Sequence, residues 1–354
     1  MSQPRRILHL ISSLDGYGWS RSLHQLVTQQ LADGSRVRVV ALSADVRERR
    51  LLELAGAACS VLARRWSFDP FAAWRLSREL RHQRYHLLHV WGTAALRYLR
   101  FVRPAHPAVP CVATLAELPT DLQKSADCFV LPCPQEIEQP HVVAIAPGVP
   151  SPACEPVPLA QFLKLLQLPD NARVIAMAGR LTRDRALEEA LWCFELVRTI
   201  NESARLLVFG DGPDRHRLER FARQACDSSA IRFLGYREDL QRWLPHAEVF
   251  WQPSGEEVPA APPLALLEAM AARVPVVATD VAAHRQAIDP GRTGFLFPVA
   301  SRSVCARYTL QVLQDRQLAS AVSTTAADMV ACRYSLSIFL SKYAELYRRM
   351  LKDS

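Results

Sequence analysis

Hydrophobic positions along the first part of the chain form short runs that alternate with segments of helical spacing. Residues 7–11, 37–42 and 87–90 are apolar at nearly every position, which is typical of strands buried on both faces of a sheet. Between such runs, residues 20–32 and 94–102 repeat apolar side chains every three or four positions, as amphipathic helices do. This alternation predicts βαβ units with a parallel sheet.

The same alternation resumes after a proline-rich stretch, and this divides the chain. Residues 147–158 contain prolines at a frequency that excludes a helix and disfavours a central strand. Beyond them, apolar runs such as 174–178 and 206–209 again alternate with helical patterns. The sequence therefore predicts an α/β protein of two doubly wound, Rossmann-like lobes that face each other across a cleft. The predicted boundaries are a first lobe at 1–146, a linker at 147–158, a second lobe at 159–335, and a C-terminal helix at 336–354 that crosses back to the first lobe.

Composition narrows the class of protein. In the 354 residues, no apolar run approaches the roughly 20 residues that a membrane-spanning helix needs. The N-terminal apolar run is short and lacks a small-residue cleavage site, so it predicts a first strand rather than a secretion signal. We therefore expect a cytoplasmic protein. The nine cysteines form no CxxC pair, which favours reduced thiols over a disulfide framework or a zinc site.

The positive charge is concentrated in the first lobe. Residues 1–103 contain 17 basic and 7 acidic side chains, whereas the whole chain has a formal net charge of +8. Two explanations remain open: peripheral contact with an anionic membrane surface, for a cytoplasmic protein its inner face, or a solvated surface rich in arginine. The arginines are not interleaved with aromatic residues in a nucleic-acid-binding pattern, so no nucleic-acid partner is expected.

Two strand ends in the second lobe carry glycine and arginine. Gly179 and Arg180 follow one predicted strand, with Arg185 five residues later. Glycine permits close approach of a ligand to the backbone, and arginine pairs with phosphate through two hydrogen bonds. The segment Gly235-Tyr236-Arg237 follows another strand, where a flat base could bond to the main chain. Each of these motifs alone is more typical of an ordinary turn or strand end than of a binding site.

A short apolar helix in the second lobe contains one carboxylate. The helix begins at Leu264, after a proline-rich loop, and includes Glu268 among alanines and leucines. The first amide groups of a helix lack intrahelical partners and favour an anion. A buried carboxylate needs a partner, and the sequence leaves two open, a vicinal diol such as that of ribose or a nearby arginine.

The first lobe offers two weaker candidates. Gly18 lies in the glycine-containing segment between the first strand and the first helix, where a helix start could face a sugar or a phosphate. His89 and Trp91 end the fourth predicted strand and lie on the same face, because side chains alternate along a strand. Each of these two residues, considered alone, is more often a packing residue than a ligand.

Taken together and in order, these motifs resemble family 4 glycosyltransferases, which have the two-lobed GT-B fold. The resemblance extends over nearly the whole chain and is strongest between residues 174 and 298. It implies a retaining transferase that needs no metal or cofactor and moves a sugar from a nucleotide-diphosphate sugar to a glycan, lipid or small-molecule acceptor. Its implied donor-binding residues are Gly18, Gly179, Arg180, Arg185, Gly235, Tyr236, Arg237, Leu264 and Glu268, with Arg180 and Arg185 on the diphosphate and Glu268 on the ribose.

The chain departs from the family pattern at the paired glutamates. The first glutamate of the pair should stand eight residues before Glu268, where the sequence has Ala260. Glu257 lies three residues earlier and is the candidate to replace it as a catalytic residue, together with His89 in the first lobe. Two hypotheses follow: an active glycosyltransferase, or a degenerate relative that binds a nucleotide or a partner protein without efficient transfer.

Overall fold

The chain forms two compact units. A computed structural model describes residues 5–62, 69–82, 84–103, 109–134, 137, 139–151, 155–256 and 261–352. The first unit comprises Met1–Gly148 with Ser337–Ser354, and the second comprises Val149–Leu336. Each unit has its own parallel sheet and its own hydrophobic core.

The first unit is built on a seven-stranded parallel sheet. Its strand order is β3-β2-β1-β4-β5-β6-β7, so the order reverses between β1 and β4. This is the doubly wound arrangement, in which ligands bind at the carboxyl ends of the strands near the reversal. The strands are β1 (Arg6–Ile11), β2 (Arg36–Ala41), β3 (Ala58–Val61), β4 (Leu87–Trp91), β5 (Cys111–Thr114), β6 (Cys128–Leu131) and β7 (Val142–Ala144). The helices are α1 (Gly18–Ala32), α2 (Val46–Leu54), α3 (Pro70–His82), α4 (Thr93–Val102) and, from the end of the chain, α13 (Leu336–Met350).

The second unit repeats the doubly wound arrangement with six parallel strands in the order β10-β9-β8-β11-β12-β13. The reversal here lies between β8 and β11, which pair directly. The strands are β8 (Arg173–Ala178), β9 (Ala204–Phe209), β10 (Ile231–Gly235), β11 (Val249–Gln252), β12 (Val276–Thr279) and β13 (Phe295–Phe297). The helices are α5 (Leu159–Leu166), α6 (Leu187–Ile200), α7 (Arg215–Ala225), α8 (Leu240–Trp243), α9 (Leu264–Ala271), α10 (Ala282–Arg285), α11 (Arg302–Gln314) and α12 (Arg316–Arg333).

The predicted α/β fold with two parallel sheets is confirmed, because long buried runs of Val, Ile and Leu leave little choice but central strands. Predicted and observed strands differ by at most two residues at either end. One helix was missed: α5 (Leu159–Leu166) directly follows Pro158, at the end of the proline-rich stretch.

A buried polar network fastens the C-terminal helix α13 to the sheet of the first unit. The ring nitrogens of His89 contact the Tyr347 hydroxyl at 2.5 Å and the Thr114 hydroxyl at 2.8 Å. Thr114 in turn contacts the Tyr343 hydroxyl at 2.8 Å. All four side chains are buried, so each hydrogen bond spares a polar group the cost of desolvation. The last helix is thereby part of the first core.

Within the part of the chain that the structure describes, no helix is both long enough and apolar enough to cross a bilayer.

Candidate functional site

The loops that follow three neighbouring strands of the second unit pack against one another through their main chains. The Leu181 amide donates to the Asp211 carbonyl at 2.9 Å, and the Gly210 amide donates to the Gly235 carbonyl at 2.7 Å. Gly210 has φ +132°, and a Cβ there would lie 1.9 Å from the Gly179 carbonyl oxygen. Only glycine fits this position, so the glycines after β8, β9 and β10 belong to one rigid surface.

Arg215, the first residue of α7, forms hydrogen bonds to residues near the ends of both β9 and β10. Its guanidinium donates to the Glu219 carboxylate at 2.8 Å, to the Asp211 carboxylate at 3.1 Å and to the Phe233 carbonyl at 3.4 Å. The hydrogen bond to Glu219 is the largest contribution that raises the pKa of Arg215. Sequence reasoning overlooked Arg215, although the i, i+4 spacing with Asp211 and Glu219 was a usable signal.

The two predicted arginines lie on either side of a short turn. Arg180 is exposed directly after Gly179, whereas the Arg185 side chain is 28% exposed and lies 3.8 Å from the Asp184 carboxylate. Burial lowers the pKa of Arg185, and the Asp184 charge acts in the opposite direction. Among the described residues, no acceptor bonds the buried Nε of Arg185. A hydrogen-bond donor without an acceptor on a partly desolvated cation raises the free energy of the folded state. A bound anion would supply the acceptor.

Arg180 and Arg185 line one pocket, together with Gly179, Gln252 and Pro253. Gln252 ends β11 and is 3% exposed, and its Oε1 has no hydrogen-bond partner among the described residues. The pocket therefore offers a cationic donor beside a neutral acceptor. Sequence reasoning missed Gln252, although a polar residue that ends the apolar run of β11 was a visible signal.

The loop after β11 is held against the arginine turn. The Gly255 amide donates to the Asp184 carbonyl at 2.7 Å, next to Arg185. Ser254 is fully buried beside Gly255, and its hydroxyl has no partner in the described part of the chain. The loop's continuation is not described: Glu257 and Ala260, on which the sequence prediction of catalysis depends, lie outside the described residues.

His284 lies at the neighbouring strand end, in α10. It is fully buried, and its Nδ1 donates to the Thr279 carbonyl at 2.7 Å. Burial lowers its pKa to about 4, and the charge of Arg185 acts in the same direction. The ring is therefore neutral near pH 7, and its Nε2 is an acceptor.

Glu268 is buried in α9 with a neutral partner. It is 2% exposed, and the Gln241 side-chain amide donates to its Oε1 at 3.3 Å. The helix begins at Leu264 after Pro263, which supplies no capping side chain, so its first amides are not capped by that residue. Leu264 is 8% exposed.

The Gly235-Tyr236-Arg237 segment is a turn fixed by its arginine. Gly235 has φ +72°, a left-handed conformation that favours glycine. Arg237 makes two hydrogen bonds to Asp239, at 2.9 and 3.1 Å, and its guanidinium lies 4.3 Å from the centre of the Trp243 ring. The Arg237 cation therefore has partners within the protein.

The structure does not support a catalytic role for His89. Its side chain is fully buried, and both ring nitrogens are bonded within the first unit. Burial, followed by the charge of the neighbouring His9, lowers its pKa well below the usual value. In this conformation both ring nitrogens have partners within the first unit, which favours a structural role for His89. Gly18, by contrast, is exposed at the start of α1 with φ +39°.

Comparison with known proteins finds one family model that matches part of the second unit. The family model for glycosyl transferases group 1 matches residues 172–315. Among curated proteins, the N-acetyl-alpha-D-glucosaminyl L-malate synthase of Bacillus anthracis is 24% identical over 195 residues, which are 55% of this chain and 50% of that protein. The alpha-D-kanosaminyltransferase of Streptomyces kanamyceticus is 26% identical over 183 residues, 51% of this chain and 47% of that protein. The chain thus spans about half the length of these two relatives.

Solved structures agree over the whole chain. A glycosyltransferase from Rickettsia africae ESF-5 has a TM-score of 0.80 at 16% identity and covers 100% of both chains. Anabaena Alr3699/HepE, solved in complex with UDP-glucose, has a TM-score of 0.78 at 16% identity, covering 97% of this chain and 99% of the other. At this identity the likeness establishes the fold alone. Residues 172–315 of the chain therefore resemble the group 1 glycosyltransferases.

Proposed function

We propose that this protein is a retaining glycosyltransferase that moves a sugar from a nucleotide-diphosphate sugar to a glycan, lipid or small-molecule acceptor. The observation that carries the proposal is the pocket between β8 and β11, where Arg185 presents a buried donor without a partner among the described residues. Anabaena HepE was solved with UDP-glucose, which supports a nucleotide-sugar donor for a chain of the same fold.

The diphosphate is assigned to Arg180 and Arg185. Arginine binds phosphate oxygens through two parallel hydrogen bonds, and Arg180 is exposed while Arg185 is preorganised by burial. The uncapped amides at the start of α9, at Leu264, add a second set of donors for the distal phosphate.

The nucleoside is assigned to the turn after β10 and to Glu268. Because Asp239 and Trp243 hold Arg237, the base is expected to meet the main chain of Gly235 and Tyr236 rather than the guanidinium. Glu268 is buried among the apolar side chains of α9, and its carboxylate is assigned to the ribose hydroxyls.

The proposed reaction needs no metal ion, because side-chain cations stabilise the leaving group. The bond between the anomeric carbon and the diphosphate oxygen breaks, and its electron pair stays on the diphosphate. The acceptor hydroxyl forms the new bond on the same face of the sugar, and its proton passes to the departing diphosphate. Arg180 and Arg185 stabilise the charge that develops on that oxygen. Glu257 is the proposed carboxylate on the sugar side, and His89 has no part in the step.

Binding and turnover by the purified protein test the proposal. UDP-, GDP- and ADP-sugars are titrated by calorimetry, and hydrolysis and transfer are followed by release of the nucleoside diphosphate in the presence of EDTA. We expect one base to bind and its sugar to be released without added metal. Binding without turnover, restored by Ala260→Glu, would instead identify a degenerate transferase. Failure of every nucleotide to bind would overturn the proposal.

A further inference from the structure

Helix α3 of the first unit exposes an aromatic and arginine-rich face. Phe71 is 74% exposed and Trp74 is 53% exposed. Arg75, Arg78 and Arg81 are also exposed. The spacing of these five positions places them on one side of the helix. Exposed aromatic side chains grouped in this way mark interaction surfaces more often than single ones do.

The orientation of α3 is fixed by its opposite face. Ala72, Leu76 and Leu80 are 2%, 0% and 6% exposed and belong to the core of the first unit. The helix therefore cannot turn Phe71 and Trp74 inward without exposing that core.

Helix α4 packs beside α3 and also exposes arginine and aromatic side chains. The Asp69 amide, just before α3, donates to the Tyr98 hydroxyl of α4 at 2.8 Å. On its outward side α4 exposes Arg97, Arg100 and Phe101, and Phe101 is 62% exposed. We call the outward residues of α3 and α4 together the aromatic–arginine surface.

The charge on this surface has one sign. The sequence of α4 contains no acidic residue, and the acidic residue within α3 is Glu79. Glu79 pairs with Arg38 at 2.5 Å and accepts from the Tyr85 hydroxyl at 3.0 Å, so its charge is compensated within the unit. Arg78 lies over the Trp74 ring at 5.5 Å. Among the described residues, no carboxylate pairs with the outward arginines of α3 and α4, so their positive charge surrounds the aromatic rings.

We propose that the aromatic–arginine surface binds the anionic surface of a lipid bilayer. Phe71, Trp74 and Phe101 enter the headgroup region, where aromatic rings are stabilised, and the arginines pair with lipid phosphates. Charge complementarity selects this occupant, because each basic residue near an anionic bilayer adds to the attraction. The surface lies in the first unit, so this inference does not depend on the proposed donor site of the second.

Vesicle sedimentation tests the inference. The full-length protein is mixed with vesicles of phosphatidylcholine alone, or with 30% phosphatidylglycerol, at low and high salt. We expect binding to the anionic vesicles that weakens as salt screens the arginines. The double variants Phe71→Ser/Trp74→Ser and Arg75→Gln/Arg78→Gln should each lower the partition coefficient about tenfold.

Trp192→Ser is the matched control. Trp192 is 37% exposed and also has an arginine over its ring, Arg302 at 5.4 Å, but it lies on α6, which contains three glutamates. This variant should bind vesicles as the unchanged protein does. Thermal melting of each variant establishes that it is folded.

Two outcomes would overturn the inference. One is that the unchanged protein does not bind anionic vesicles, or that the folded Phe71→Ser/Trp74→Ser variant binds them as strongly as the unchanged protein does. The other is a concentration-dependent dimer in sedimentation velocity that this double variant makes monomeric, which would assign the surface to a second copy of the chain. Nucleotide binding is measured in parallel and should be unaffected, so failure here leaves the donor site untouched.

Discussion

Arg185 illustrates how burial prepares a single residue for a ligand. Its guanidinium is half-buried, and its nearest carboxylate, Asp184, belongs to the adjacent residue at 3.8 Å. A cation in such a place is stabilised more by a bound anion than an exposed one is, because less water competes for it. The neighbouring Arg183 is 83% exposed and lies 4.0 Å from Asp214. The two residues therefore provide a natural comparison.

We expect Arg185→Gln to weaken nucleoside diphosphate binding by about 2 kcal/mol, roughly thirtyfold, because a charge-assisted hydrogen bond is lost. Arg183→Gln should change the affinity by less than about 0.5 kcal/mol, since an exposed pair contributes little. Calorimetric titration of both variants is the measurement. Equal affinities in the two variants would show that the anion binds elsewhere.

Substitution of Gln252 is expected to change the stability of the protein and its affinity for the nucleotide sugar in opposite directions. Gln252→Leu removes a buried oxygen that has no described partner and keeps a similar volume. The variant should therefore be as stable as the unchanged protein, or about 1 kcal/mol more stable. If Gln252 contacts the donor, affinity for the nucleotide sugar should fall about tenfold. Thermal melting and titration on the same sample compare the two effects, and an unchanged affinity would remove Gln252 from the site.

At the scale of elements, the site depends on how tightly the loops after β8, β9 and β10 pack. Gly210→Ala should lower the free energy of unfolding by about 3 kcal/mol, because the new Cβ meets the Gly179 carbonyl and φ is positive. Gly34→Ala is the control. Gly34 has φ +80° but open space around it, so only the backbone strain of about 1 kcal/mol is expected. Urea denaturation measures both, and similar losses would contradict the packing argument.

The elements themselves were largely predictable from local pattern. Residues 174–178 are predicted as a strand and lie in β8, because an apolar run of this length is typical of a strand buried on both faces of a sheet. Likewise, the glycines and arginines at the ends of β8 and β10 could be read from the sequence, since parallel strands bring their carboxyl ends to one edge.

The missed residues depend on contacts between distant parts of the chain. His89 was a candidate catalyst because a histidine at a strand end is visible in the sequence. Its partner Tyr347 is 258 residues away, and no local sequence pattern predicts that contact. Gln252 was missed for the converse reason, since its lack of a partner is a property of the folded environment.

At the scale of the whole molecule, three buried histidines make stability depend on pH. Burial lowers the pKa of His9 and of His284 to about 4, and lowers that of His89 well below its usual value. The unfolded chain therefore takes up these protons near pH 6.5, before the folded chain does. The stabilisation is complete above about pH 6.5 and is lost as the pH falls towards 4.

We expect the free energy of unfolding to fall by about 1 kcal/mol per pH unit for each of these histidines between pH 6.5 and 5. Denaturation at a series of pH values measures the slope. His216 is exposed, so His216→Gln should reproduce the slope of the unchanged protein. A free energy that stays flat across this window would show that the histidines are accessible to protons in the folded state.

The position of α13 has a consequence for the order in which the protein is completed. The second unit, Val149–Leu336, is continuous in sequence, whereas the first also requires Ser337–Ser354. Domains generally fold as units while the chain emerges from the ribosome. The part of the first unit that precedes the second is therefore incomplete until Tyr343 and Tyr347 are available to meet Thr114 and His89. The second unit can fold before then, so α13 joins the first core only after the second unit has emerged.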